Sequence, residues 1–384
     1  MNNEWCMAWM LTFCLLAHSV AGSAQLDIPP RRQWDNNNGY CGEASIQQAA
    51  LYFGTYISQY RAREIIDPTQ QQDVWVPDNS GPIFDALRLS YSAWDPNQST
   101  PQYQKYLVWI KSHLQQGHPV IFDVFVQGES DPDYDHIMVA SGFTSTDTTM
   151  YHSTDTLTFN DNYETAPYTR TFGSLWDTRS MNGNGAVYEY CIPRDTDYGA
   201  AVTGIKDGSG TALPVSLKVN RWNEPNISQG ASPVTLMATV QVSSLTAGQS
   251  YALLRYDDYH NVPTNNYLAS ADTTCTVFTA TGSTYTHVDQ FMSDSIVIYR
   301  CVPYTIAGEP FITGLDATGP AVRLWFDTIS GNQYAVEWRN ILKSGAWSPL
   351  SNNVTGTGGT ISITDTDALS QPQRFYRMIE MTPP

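Results

Sequence analysis

Basic side chains are scarce in this 384-residue sequence: Lys and Arg total 20 against 37 Asp and Glu, for a formal net charge of −17. Removing the first 24 residues, whose one charged side chain is Glu4, leaves −16. That balance argues against nucleic acid as a partner, because a phosphate backbone demands a basic surface. It suits the solubility of an exported protein. Long apolar runs are also missing. Trp9 to Ala17 is apolar but too short to cross a bilayer, and no later run is long enough, so no membrane span is expected. The six cysteines show no zinc-type Cys/His spacing, no glycine-rich loop is shaped to cradle phosphate, and no tandem repeat or low-complexity tract is evident. No cofactor and no metal are expected. What is present is 41% apolar and 12% aromatic, which excludes global disorder. A bias toward Thr, Ser, Val and Tyr with only 15% charged residues favours strands over helices. The length suits two or three domains.

Met1 to Ala24 reads as an export signal although its first residues lack Lys and Arg. The apolar core is followed by Ser19-Val20-Ala21-Gly22-Ser23-Ala24, which offers cleavage after Ala21 or Ala24. A secreted, periplasmic or cell-surface location follows as an expectation. Cys6 and Cys14 would leave with the signal. Cys41, Cys191, Cys275 and Cys301 remain, and four cysteines allow three pairings. With Cys41 reserved as a nucleophile, Cys275 and Cys301 are the best candidate disulfide, leaving Cys191 a buried thiol. A Cys41–Cys191 bridge would instead rule out a thiol enzyme.

Residues 25 to about 195 mix helix and strand. Ile46, Ala49, Ala50 and Phe53 form the i, i+3, i+4, i+7 stripe of an amphipathic helix opening at Cys41, with Gly54 as its C-terminal cap. Tyr103 to Gln116 is a second helix, ending at Gly117 before Pro119. Val120 to Val126 reads as a buried strand. An acidic loop from Glu129 to Asp135 leads into a strand at Ile137 to Ala140, and short strands are expected at Thr149–Tyr151 and Leu157–Phe159. Helices first and an antiparallel sheet later make an α+β arrangement. After Pro193 the helical signal ends. Strand-like segments from Pro214 to Cys301 suggest a β-sandwich over 200–305. A third unit, 310–384, carries period-two alternation at Val322–Phe326, Tyr334–Trp338 and Phe375–Ile379, around the turn Gly356 to Gly359. It loosely resembles the short C-terminal β modules of secreted bacterial proteins.

Cys41 stands where a thiol becomes a nucleophile. A helix N-terminus offers free N–H groups and a partial positive charge, which favour thiolate. Gly42 would let a substrate approach the backbone N–H groups, and Gln33, eight residues upstream, could lend its side-chain amide to an oxyanion. His136 heads an apolar strand, as a general base must if a sheet is to present it rigidly. His113, His118 and His152 read as structural. The third group should fix the imidazole tautomer. Asp161 closes the Leu157 strand and is the first choice; Asp155, Asn160 and Asn162 compete. Asp131-Pro132-Asp133-Tyr134-Asp135 has Asp at alternate positions, but His136 in place of Gly at position six and Gly142 at position twelve exclude an EF-hand, leaving a solvated acidic loop. Asn97, Asn226 and Asn353 head N-glycosylation acceptor sequences.

Taken together, Gln33, Gly39-Tyr40-Cys41-Gly42-Glu43-Ala44-Ser45, Gly117-His118-Pro119-Val120-Ile121, Asp135 to Phe143 and Phe159-Asn160-Asp161 resemble a cysteine peptidase of the papain-like clan. The closest likeness is the double-glycine-leader (bacteriocin-processing) branch in a secreted, stand-alone form. The resemblance spans about residues 30 to 165. It implies a papain-like α+β catalytic domain, with an N-terminal helix packed on an antiparallel sheet; the strand patterns downstream add two all-β, sandwich-like modules. It also implies Cys41 as nucleophile, His136 as base, Asp161 as orienter, Gln33 as oxyanion donor, and a peptide or protein substrate. Glu43-Ala44 stands where such peptidases commonly have Pro-Ala, and Asn36-Asn37-Asn38 fills the gap between Gln33 and Cys41. The transporter domains that accompany leader peptidases are absent, so leader processing is not carried over. The same Cys/His logic would serve an amidase or acyltransferase, and a degenerate site would leave a surface-binding protein.

Overall fold

The computed structural model describes residues 21–126, 136–175, 190–269, 273–304, 312–328, 331–341, 346–357 and 359–381. The apolar core of the expected export signal with Cys6 and Cys14, the acidic loop from Glu129 to Asp135, and the expected start of the last module at Pro310 lie outside them. Among the described residues no helix is long and apolar enough to cross a membrane. The chain divides into two compact units, one up to Pro303 and one from Tyr304.

The first unit opens as an α+β arrangement. Its elements in order are β1 (Gly22–Gln25), α1 (Cys41–Tyr52), β2 (Thr55–Ile57), α2 (Gln59–Ile66), α3 (Gly81–Ala86), β3 (Leu89–Ala93) and α4 (Tyr103–Gln115). There follow β4 (Val120–Val126), β5 (His136–Ser145), β6 (Thr156–Asn160), β7 (Tyr168–Thr171), α5 (Phe172–Leu175), β8 (Tyr190–Cys191) and β9 (Gly199–Ile205). An antiparallel sheet runs β3-β9-β4-β5-β6-β7, with β1 added to β5 and β8 to β4. β4 is apolar at nearly every position because both of its faces are covered, as its unbroken hydrophobic run predicts. α4 buries Tyr106, Leu107, Ile110 and Leu114, and full burial of a Leu or Ile side chain is worth about 1.5–3 kcal/mol.

Two sequence expectations are corrected here. Thr149–Tyr151 is a turn and not a strand, since Asp147 accepts the Thr149 N–H and hydroxyl and bends the chain. β9 joins β3 and β4, so the α+β sheet extends past residue 195 to Ile205.

α1 begins at Cys41 as the sequence predicts, and Gly54 with φ +69° follows its end. It is not amphipathic. Every residue from Gly42 to Leu51 is buried, polar ones included, because α1 is packed between the sheet at β4 and β5 and further strands on its other side. Those strands are β10 (Val215–Val219), β11 (Thr235–Val242), β12 (Ser250–Tyr256), β13 (Thr274–Thr279), β14 (Tyr285–Met292) and β15 (Ile296–Pro303). They make two sheets, β10-β11-β14 and β13-β12-β15-β2, around one apolar core that includes Leu217, Val240, Leu253 and Tyr299. β11 alternates exposed and buried residues along its whole length, the signature of a strand with one wet face. β2 lies far upstream in the chain yet pairs with β15, so the two parts of this unit share a sheet.

The expected Cys275–Cys301 disulfide is excluded by register. Cys275 pairs across β12 from Leu254, and Cys301 sits on the other side of β12 opposite Leu253. Two strand spacings, about 9.5 Å, separate them, beyond the roughly 7 Å that a bridge tolerates between Cα atoms. Among the described residues no disulfide joins Cys41, Cys191, Cys275 or Cys301.

The second unit contains β16 (Ile312–Asp316), β17 (Val322–Asp327), β18 (Gln333–Arg339), β19 (Ser348–Thr355), β20 (Thr360–Asp365) and β21 (Phe375–Met381). Two three-stranded sheets, β16-β17-β20 and β19-β18-β21, close over Val322, Leu324, Phe326 and Val336.

Candidate active site

A cavity of about 590 Å³ opens at the start of α1, walled by Gln33, Cys41, His136, Asp161, Tyr163 and Trp75. The four candidate residues read from the sequence therefore share one opening. Cys41 is the first residue of α1 and half-buried. The backbone N–H groups of Ile137 and Gly42 hydrogen-bond its sulfur, which sets the thiol against the first peptide of β5, beside His136.

His136 is buried and directs Nε2 to Oδ1 of Asp161 at 2.9 Å. A carboxylate can only accept, so Nε2 carries a proton and Nδ1 is the nitrogen left to take or give one. The Tyr163 ring lies beside the imidazole, inclined to it by 25° with centroids 5.7 Å apart. Asp161 also accepts from the Tyr163 N–H at 3.2 Å and, through Oδ2, from the Tyr190 hydroxyl. Burial works to raise its carboxyl, but the His136 and Tyr190 hydrogen bonds, the His136 charge and the Tyr163 N–H outweigh it and hold it below the usual carboxylate range.

The rivals to Asp161 are occupied elsewhere. Asp155 meets Lys111 at 2.6 Å in a buried ion pair joining α4 to the end of β5, where Ser145 bonds both partners. Asn160 donates to the Ile28 carbonyl and to Gln48. Asn162 performs a task that the sequence did not disclose. Its Nδ2 donates to the carbonyls of Cys41 at 3.0 Å and Ile137 at 2.9 Å, which ties the helix start to the histidine strand. His113 and His118 face each other through Nδ1 at 3.2 Å, away from the cavity lining, and burial depresses both.

Gln33 reaches the cavity with its Nε2 donating to the Tyr163 hydroxyl at 2.7 Å and its backbone N–H donating to Asn162 at 3.0 Å. Its Oε1 is buried without a partner. The Asn36–Asn38 run does not displace it. Asn37, Asn38 and Gly39 all take positive φ and fold the chain back so that a Cβ on Gly39 would stand 3.4 Å from the Gln33 amide nitrogen.

Glu43 is an internal anchor. It is buried and pairs with Arg63 at 2.5 Å, while the same guanidinium donates to the carbonyls of Asn37 and Gly39 and lies over the Tyr40 ring at 3.5 Å. The loop that delivers Cys41 is thus clamped from α2. Gly42 is required by packing: a Cβ there would stand 2.1 Å from the Val74 carbonyl oxygen, so the near backbone is protein and not an open approach for substrate.

The expectation of a ready thiolate is corrected. Burial pushes the Cys41 thiol up to about 12, with Glu43 and Asp123 adding to the rise and the Ile137 and Gly42 N–H groups opposing it. Asp123, on β4 opposite Ile137, is itself driven well above the carboxylate range by burial and by Asp78. A thiol in these surroundings keeps its proton until a neighbouring base removes it. Among the described residues no cluster of His, Cys, Asp and Glu could hold a metal ion.

Of the residues that shape this site, Tyr163 was within reach of sequence reading, two positions after Asp161. Tyr190 and Arg63 were not, because nothing in local spacing links them to Cys41. Residues 25–190, under half of the chain, match the Peptidase_C39 like family. That match supports a cysteine peptidase of the C39 type for this segment. No curated protein matches the chain.

Proposed function

We propose that this chain is an exported, papain-like cysteine peptidase, with Cys41 as nucleophile, His136 as base and acid, Asp161 as orienter and Gln33 as oxyanion donor. One observation carries the reading: His136 gives Nε2 to Asp161, leaving Nδ1 as the basic nitrogen, while the Cys41 sulfur rests on the adjacent Ile137 N–H. As sulfur attacks the carbonyl carbon of a peptide, its proton passes to Nδ1, and the carbonyl electron pair moves to oxygen. The Gln33 amide and the Cys41 N–H hold that oxyanion. The tetrahedral adduct collapses as the imidazolium gives its proton to the leaving amine and the C–N bond breaks. Water, deprotonated by the same nitrogen, then hydrolyses the thioester. The raised thiol favours this concerted proton transfer over a standing thiolate. Trp75, at the cavity wall and 38% exposed, is suited to hold a substrate side chain.

Export is part of the proposal. β1 begins at Gly22 and pairs with β5 from Ser145 to Gly142. Cleavage after Ala21 keeps that strand whole, whereas cleavage after Ala24 removes most of it.

The test is digestion of an unfolded, carboxymethylated protein by the wild type and by Cys41→Ala, with new amino termini identified by mass spectrometry. The wild type should generate new termini and the variant none. Termini produced equally by both, or deamidated glutamines without new termini, would overturn the peptidase reading.

A further inference from the structure

The segment after β10 carries a buried carboxylate, Glu224, that takes no part in the chemistry above. It is 6% exposed and accepts hydrogen bonds from Arg31 Nη2 at 3.5 Å, Gln47 Nε2 at 3.3 Å, the Gln59 N–H at 3.1 Å, Gln59 Nε2 at 3.3 Å and the Tyr56 hydroxyl. These donors come from three separate pieces: the extended arm that contains Gln33, the side of α1 away from the sheet, and the β2–α2 junction.

The surrounding segment also grips that arm along its length. The carbonyls of Trp222 and Glu224 accept from Arg32 N at 2.9 Å and Trp34 Nε1 at 3.2 Å. Further along, Asn226 Nδ2 donates to Asn36 Oδ1 at 2.5 Å and Asn36 Nδ2 donates to Ser228 at 2.8 Å. Gln59 closes the ring, giving Nε2 to the Arg32 carbonyl at 2.8 Å and accepting from Trp34 N at 3.0 Å. Gln33 therefore lies in the middle of a strip fastened on both sides, while Gln47 fastens the helix that begins at Cys41 to the same carboxylate.

We infer that Glu224 is a positioning residue that sets the distance between the Gln33 arm and the start of α1, and so aligns the oxyanion donor with the nucleophile. The inference rests on the peptidase reading of the site. A buried ion pair is a weak source of stability, because desolvation offsets most of its attraction. A network of this kind is worth more as geometry: a misplacement of about 1 Å costs roughly a hundredfold in rate, and a lost oxyanion donor about a hundred- to a thousandfold.

The test compares two reactions of Cys41. Acyl transfer builds an oxyanion, whereas alkylation by iodoacetamide displaces iodide at a CH₂ carbon and builds none. Glu224→Gln should lower kcat for a peptide about ten- to a hundredfold with little change in KM, and leave the alkylation rate of Cys41 at the wild-type value. Asn226→Ala, which cuts the half-buried end of the grip, should show the same split more weakly and serves where Glu224→Gln does not fold. Leu253→Ala, in the core between the two sheets, should lower Tm without changing kcat at temperatures where it is folded. Wild-type kcat in both loop variants would overturn the inference, as would parallel losses of turnover and alkylation. A wild type that fails to cleave peptides removes the underlying reading, and this inference with it, before any variant is compared.

Discussion

At His136 a single carboxylate decides what the ring can do. Because Asp161 holds Nε2–H, the lone pair on Nδ1 is the one available for a proton. Asp161→Asn should therefore lower kcat by about a hundred- to ten-thousandfold while leaving the protein folded. Asp155→Ala should do the opposite, sparing kcat and costing about 3–5 kcal/mol of stability, because Lys111 is left buried and unpaired. Urea denaturation and peptide kinetics on the two variants check both halves. The stability that Asp161 contributes has a defined sign. Its carboxyl lies lower in the folded state than unfolded, so the contribution is present above the unfolded value and fades as pH falls through the folded one. That Asp161 would stand near His136 was legible because it closes a strand able to lie antiparallel to the histidine strand. The claim of Lys111 on Asp155 was not, since it links residues 44 positions apart through a helix packed on the sheet. Nor was the height of the Cys41 thiol: a helix N-terminus is visible in sequence, but the burial that opposes it is not.

At the level of elements, both ends of α1 were legible from Cys41, Gly42 and Gly54, and its environment was not. The apolar stripe Ile46, Ala49, Ala50 and Phe53 leaves Ser45, Gln47 and Gln48 off its face and puts Glu43 at its edge. In the fold each finds an internal partner, Arg63 for Glu43, the Ile137 carbonyl for Ser45, Glu224 and the Ile57 carbonyl for Gln47, and Asn160 with Asn162 for Gln48. A second apolar body covers the face that periodicity leaves open. The same body explains β2, three residues long, too short to read as a strand alone and stabilised by pairing with β15. The cysteine pair fails for a related reason: proximity in a β module says nothing of register, and one intervening strand keeps Cys275 exposed and Cys301 buried.

For the whole molecule, the proposed activity should belong to the unit that ends after β15. A chain ending at Pro303 should turn over a small peptide at the full-length rate, because the unit from Tyr304 onward has its own core. A chain ending at Ile205 should fold poorly and lose activity, since β15 and the Glu224 segment are gone. Far-UV circular dichroism with peptide kinetics on both truncations checks this, and an active chain ending at Ile205 would show that the α+β part is self-sufficient. The central claim, that the Cys41 sulfur is the nucleophile, is tested most directly by partial alkylation. Samples are treated with iodoacetamide to graded extents, and residual peptide hydrolysis is plotted against the unmodified fraction of each cysteine from peptide mapping. Activity should equal the unmodified fraction of Cys41 at every point and be indifferent to the exposed Cys275. Turnover that persists when Cys41 is fully carbamidomethylated would contradict the account.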